Sequence, residues 1–145
     1  MKRTSSLLVA AVSFLIVLAM PVCAQSIHLT GDIPFEFSVH GQLVPAGSYT
    51  IEQRGSGGGQ SEVMVVIDQD RTQKAVFLVQ PVTANKAPEQ PKLVFTRIEG
   101  RYFLSQIWTT DSAQGVQLVK SRVERELVAR ATATEKQDVI VLAKR

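Results

Sequence analysis

Two histidines, one cysteine and a few close carboxylate pairs are the side chains of this 145-residue chain with the chemistry for a reaction centre. A zinc site in residues 25–145, which lack cysteine, would need His28 and His40 together with carboxylates at converging geometry. The two histidines stand on different alternating segments and no short ligand motif surrounds either. Either histidine could serve a Ser-His-Asp triad, but no Gly-x-Ser-x-Gly elbow marks a nucleophile. His40 is expected in a turn and His28 near the start of the folded domain. Glycoside hydrolysis needs two carboxylates facing each other across a cleft. Asp68 and Asp70 fall at an expected turn, where aspartate bonds the backbone. Glu124 and Glu126 lie two apart on an expected helix and diverge. The glycines Gly55 to Gly59 lack the Gly-Lys-Ser/Thr of a phosphate loop and lead into a β-branched strand, so a hairpin tip is expected. These residues imply neither a catalytic set nor a cofactor.

The elements that must position these groups begin after an N-terminal targeting pattern. Lys2 and Arg3 precede an apolar run from Leu7 to Met20, and Val22 and Ala24 are small residues placed for a cut. The pattern is that of a secretory signal helix over residues 1–24, cleaved between Ala24 and Gln25. The apolar run is short of the roughly 20 residues that span a bilayer, so the membrane is met only during export. The only cysteine, Cys23, belongs to this segment. Residues 25–145 therefore form one exported domain, periplasmic or extracellular, that folds without a disulfide.

Charge follows the same division. The full chain carries 16 basic and 13 acidic residues, net +3. Two of the basic residues and none of the acidic ones lie in residues 1–24, so residues 25–145 carry 14 against 13, net +1. That balance gives no footprint for nucleic acid. Arg122, Arg125 and Arg130 form the one basic face, interleaved with glutamates, and are candidates for an interaction surface with another envelope protein.

Period-2 alternation dominates the domain. Ile27 to Thr30 is a short segment with Gly31-Asp32 as a turn. In "IPFEFSVHGQLVPAGSYTI", Ile33, Phe35, Phe37, Val39, Leu43, Tyr49 and Ile51 alternate with polar residues toward one core. The expected pieces are a strand at 33–39, a His40-Gly41 turn, an arm at 42–44, a Pro45-Ala46-Gly47 hairpin loop with left-handed Gly47, and a strand at 48–53. Strands at 62–68 and 74–80 form a hairpin. Pro81 to Pro91 is a surface loop, and strands at 92–98 and 101–108 flank a Glu99-Gly100 turn. In the last of these, Tyr102, Leu104 and Trp108 are expected on one face and Phe103, Ser105 and Ile107 on the other. Residues 109–115 are an expected loop. Ser121 and Glu124 make a capping box for the one helix of the domain, about 121–131, with an apolar stripe of Val123, Leu127, Val128 and Ala131 and a Glu126–Arg130 pair. A final strand, 138–143, is expected to insert into the sheet. The fold class is mainly β: an antiparallel sandwich or small barrel of seven to eight strands.

Phe35, Phe37, Tyr49, Tyr102 and Trp108 are core candidates, and in a barrel they would line a pocket for a small apolar ligand.

The Pro-Phe-x-Phe strand, the Pro-Ala-Gly-x-Tyr turn, "YFLSQIW" and "SRVEREL", in this order after an export signal, resemble a family of small exported bacterial proteins of unknown function. That resemblance carries no active site. "LVPAGSYTI" is also similar to the architectural turn of carboxypeptidase-regulatory-like and collagen-adhesin-B-like sandwiches. The expected function is a non-enzymatic envelope binding or structural module. A lipocalin-like carrier of a small apolar ligand and a hydrolase with an unrecognised site are the alternatives.

Overall fold

Runs rich in Val, Ile and Phe, punctuated by Gly, Pro and Asp, favour short strands joined by tight turns. The computed structural model describes residues 26–56, 61–110, 112–131 and 136–145. The expected signal helix, with Ala24 and Gln25, lies outside the described residues, as does most of the glycine-rich tip.

Among the described residues ten strands form: β1 His28–Ile33, β2 Phe37–Val39, β3 Gln42–Val44, β4 Gly47–Ser56, β5 Glu62–Asp68, β6 Gln73–Thr83, β7 Lys92–Ile98, β8 Arg101–Trp108, β9 Gln114–Leu118 and β10 Lys136–Leu142. Among the described residues one helix, α1, spans Arg122–Arg130. Antiparallel ladders run β1–β4–β5–β6–β9–β8–β7–β10. The circuit returns to β1 through reciprocal backbone hydrogen bonds between Thr30 and Lys144, each 2.7 Å. The result is a barrel-like β fold. The β2–β3 hairpin joins it by pairing β2 with the first half of β8, and this pairing is parallel. The expectation of an antiparallel sheet is corrected there.

An eight-stranded ring has an interior just wide enough for side chains to fill. Leu29, Ile33, Phe37, Val39, Val44, Tyr49, Ile51, Met64, Val66, Phe77, Phe95, Leu104 and Ile107 fill it. Phe37 meets Phe95 and Tyr49 edge-on at centroid distances of 5.3 and 5.7 Å. Burial of each such ring stabilises the fold by about 2–3 kcal/mol.

Several expectations are revised by this architecture. Gly31-Asp32 lies within β1, and a Cβ on Gly31 would come 3.4 Å from Leu93 and 3.8 Å from Ala143. The expected strand at 33–39 is broken at Pro34, which cannot donate to a ladder, so Ile33 ends β1 and Phe37 begins β2. Leu43 does not join the core and is 63% exposed. β3 pairs only with β2, so Pro45-Ala46-Gly47 is a corner between strands of different ladders. Among the described glycines only Gly41 and Gly100 have positive φ, so Gly47 is not left-handed. A Cβ there would stand in ordinary contact, 3.4 Å from the Tyr49 ring, and Tyr49 Oη donates to Pro45 O at 2.8 Å. The Pro-Ala-Gly-x-Tyr stretch is thus a tyrosine corner. β6 continues through Pro81 to pair with β9, a strand the alternation was too short to announce. The His40-Gly41 and Glu99-Gly100 turns stand as expected, with φ of 47° and 88°, and 49° and 79°.

Candidate functional site

The decisive local feature is one extra residue in β8. Val94 pairs with Gln106 and Phe95 with Leu104, so Ser105 is a bulge and the side-chain alternation shifts there. Before the bulge Tyr102 and Leu104 face the interior; after it Ile107 does, and Trp108 moves outside with Phe103. The expected sharing of one face by Leu104 and Trp108 is therefore wrong. Ser105 Oγ donates to Val94 O at 2.9 Å, which ties the bulge to β7.

Outside the ring, Trp108 lies across β9. A Cβ on Gly115 would come 2.5 Å from the indole, so only glycine fits beneath it. Trp108 Nε1 donates to Gln106 Oε1 at 3.0 Å.

α1 stands near this outer face. Ser121 caps it, accepting from the Glu124 N–H at 3.2 Å, while the Glu124 carboxylate accepts from the Ser121 N–H. This capping box was expected, but its consequence was not. Holding the carboxylate at the helix start turns Glu124 inward, where it is 4% exposed, in line with half-buried Leu127 and Val128. Val123, assigned to the apolar stripe, is 50% exposed. Burial pushes the Glu124 carboxyl above the ordinary carboxylate range, opposed by the Lys120 charge, the Ser121 N–H and His40.

Glu124, Lys120, Gln117, Gln106, Ser105, Thr96, Val94 and Asp138 line a cavity of about 120 Å³. Thr96 Oγ1 donates to Asp138 Oδ1 at 3.2 Å. A second hollow, about 240 Å³, shares Val94, Gln106 and Asp138 with the first and continues over Trp108, Pro88 and Ile140. Together they form one trough with a polar end under α1 and a mixed end beside β10, where Lys86 and Lys92 stand with Pro88, Trp108 and Ile140. The trough can accept hydrogen-bonding groups at one end and aliphatic or anionic groups at the other.

The sequence candidates are distributed differently. Phe35, Phe37 and Tyr102 line a separate hollow of about 220 Å³ beside the β2–β8 pairing. Phe35 stacks on Tyr102 at a centroid distance of 4.0 Å, with Arg97 over the same tyrosine. Tyr49 is interior and Trp108 belongs to the trough. Arg122, Arg125 and Arg130 are exposed on the far side of α1 from Glu124, and Arg122 pairs with Glu126 at 3.0 Å. That contact replaces the expected Glu126–Arg130 pair.

His28 lies 3.5 Å from Glu52 on the outside of the barrel. His40 Nδ1 lies 3.1 Å from Val119 O, so an Nδ1–H tautomer donates to it. Asp68 bonds the Thr72 N–H at 2.8 Å and Lys74 at 2.8 Å, as its turn position implied. The Lys74 ammonium, chiefly, holds its carboxyl below the usual range. Among the described residues, no three of His, Cys, Asp and Glu are grouped to hold a metal ion. Glu124, Asp138, Gln106 and Gln117 were missed as site residues. The capping box could have signalled a buried Glu124, but nothing in the spacing announced the bulge that aims β8 at it.

Comparison with protein-family models, curated proteins and solved structures finds no match.

Proposed function

We propose that this chain is an exported, non-enzymatic β domain that binds another envelope protein through the outer face of β7–β10. The observation that carries the reading is the trough, where buried Glu124 and exposed Asp138 stand with Trp108 and exposed Ile140. Exposed Ile140 beside Gln106 and Asp138 is an apolar contact with a polar rim, the anatomy of a protein-binding patch. Both carboxylates are engaged, by the Ser121 N–H and the Thr96 hydroxyl, in roles that fix shape. Export is supported by the residue pattern of positions 1–24.

The test is in-cell photocrosslinking with the probe at Gln117 or Ile140, and a control probe at Val76 on β6, combined with fractionation. One defined partner at both trough positions and not at Val76, in an exported fraction whose N-terminus is Gln25, is expected. Equal crosslinking at Val76, or a protein retained in the cytoplasm, would overturn the reading.

A second reading, carriage of a small apolar ligand, draws support from the hollow beside Phe35 and Tyr102. Native mass spectrometry showing lipid on the purified protein, lost in Tyr102→Ala, would favour it.

A further inference from the structure

The two hollows of the trough offer different charges. The larger is lined by Val94, Trp108 and Ile140 from three neighbouring strands and by Pro88 from the connection between β6 and β7. Lys86 and Lys92 line the same hollow. Lys92 is half-buried, and no carboxylate among the described residues pairs with it. Lys86 lies 3.8 Å from Glu89, with side chains 83% and 90% exposed, a contact worth little in water. Two ammonium groups beside an apolar wall, one of them without a counterion, complement an anionic group attached to an aliphatic one.

Polarity then changes along the trough. Gln106 Oε1 accepts from Trp108 Nε1, which leaves the Gln106 NH2 to donate. Gln106 and Asp138 also line the smaller hollow, with Gln117, Ser105 and Thr96. The Asp138 carboxylate, which would repel an anion, accepts from Thr96 at the end far from Lys92. Thr96 pairs with Asp138 and stands four residues from Lys92 on β7, about 13 Å away. That distance is about four residues of an extended chain. An occupant thus meets an anion-binding end, an aliphatic middle and an end rich in amides and hydroxyls, in that order.

We infer that the trough receives the C-terminal residues of a partner protein, with the terminal carboxylate at Lys92 and Lys86 and an aliphatic last side chain against Val94, Trp108 and Ile140. The inference rests on the reading of this outer face as a protein-binding face, and it names the partner's segment. A terminal carboxylate and the last side chain leave the same Cα, so one residue supplies both groups at close range. The chain that precedes it carries an N–H and a C=O at each residue, which the amides and hydroxyls of the polar end can meet. In an extended segment the third residue from the end points the same way as the last, so a hydrogen-bonding side chain is expected there. An anionic lipid offers the same head chemistry and fits poorly. The larger hollow, about 240 Å³, is smaller than the usual ligand pocket of about 300–1,000 Å³. An acyl chain running on from it would lay hydrocarbon against Asp138, Gln117 and Thr96 and remove them from water without partners.

The experiment titrates the protein, purified from cells expressing the full chain, with the peptide acetyl-Gly-Ser-Gln-Thr-Ala-Leu as its free acid and as its C-terminal amide. Trp108 is the one tryptophan of the chain, so its emission reports on the hollow directly. The free acid is expected to bind saturably, and the amide about tenfold more weakly with the protein unaltered. Asn in place of the last Leu is expected to weaken the free acid by about tenfold. Lys92→Gln is expected to weaken the free acid by about tenfold and to leave the amide unchanged, a difference that a general loss of structure would not produce. Equal binding of acid and amide, no binding of either at millimolar peptide, or equal weakening of both by Lys92→Gln would overturn the inference. So would decanoate that binds more tightly than the free acid and shifts the same emission, because an amphiphile would then be the occupant. Crosslinks from Gln117 and Ile140 to one defined partner that persist when both peptides fail would sink the C-terminal mode and leave the binding face standing.

Discussion

The two faces of the β7–β8 hairpin differ in composition and in use. Inward, Leu93, Phe95, Leu104 and Ile107 are sealed among other apolar side chains. Outward, Val94, Thr96, Gln106 and Trp108 line the trough beside Glu124 and Asp138. One residue, Ser105, separates these fates, because a bulge reverses the facing of all that follows it on the strand. Shape on this barrel is maintained by one face and presented by the other, and the boundary between them is a backbone event.

Inserting one alanine between Gln106 and Ile107 attacks that boundary directly and should have the largest effect. It would turn Trp108 inward and Ile107 outward, and loss of cooperative thermal unfolding is expected. A native-like melt with unchanged Trp fluorescence would show that the residue count along β8 does not set the facing. Phe37→Ala tests the sealed face alone, at an expected cost of about 3–5 kcal/mol in urea unfolding. Gly115→Ala tests the presented face. Its Cβ would press on the indole and on Ile107 O, 2.8 Å away, so a loss of about 1–3 kcal/mol and a shifted Trp emission are expected. Tyr49→Phe removes only the hydroxyl bonded to Pro45 O, and should cost about 1 kcal/mol by the same measurement.

The smallest effect concerns Glu124. Its carboxyl is raised by burial, so the native state holds the proton more tightly than the unfolded chain does. That contribution is full below the ordinary carboxylate range and is lost as pH rises through the folded-state value. Glu124→Gln keeps a capping acceptor and drops the buried charge. Its melting curve should lack this part of the pH dependence and match or exceed the parent at neutral pH by about 0.5 kcal/mol. A variant less stable than the parent at neutral pH would mean that the ionised carboxylate is needed where it sits.

Most turns and seven of the ten strands were legible because their causes are local. Gly41 and Gly100 take left-handed φ, Asp68 bonds its own turn, and Ser121 caps α1. β9 was not legible, because it is short and borrows its order from β6 and β8. The trough was legible only in fragments. Ser121 and Glu124 announced a capping box, but the burial of Glu124 depends on α1 lying near β7–β10, which no periodicity states. Arg122, Arg125 and Arg130 drew notice by charge, and the fold turns them to solvent.

The sequence by itself determined a mainly β domain, its tight turns and the start of its helix, since each follows from a few neighbouring backbone dihedrals and side-chain volumes. Tertiary packing decided that the ladder closes through Thr30 and Lys144 and that Trp108 faces out. Those outcomes depend on register between strands far apart in the chain, and a single inserted residue or a single proline changes them.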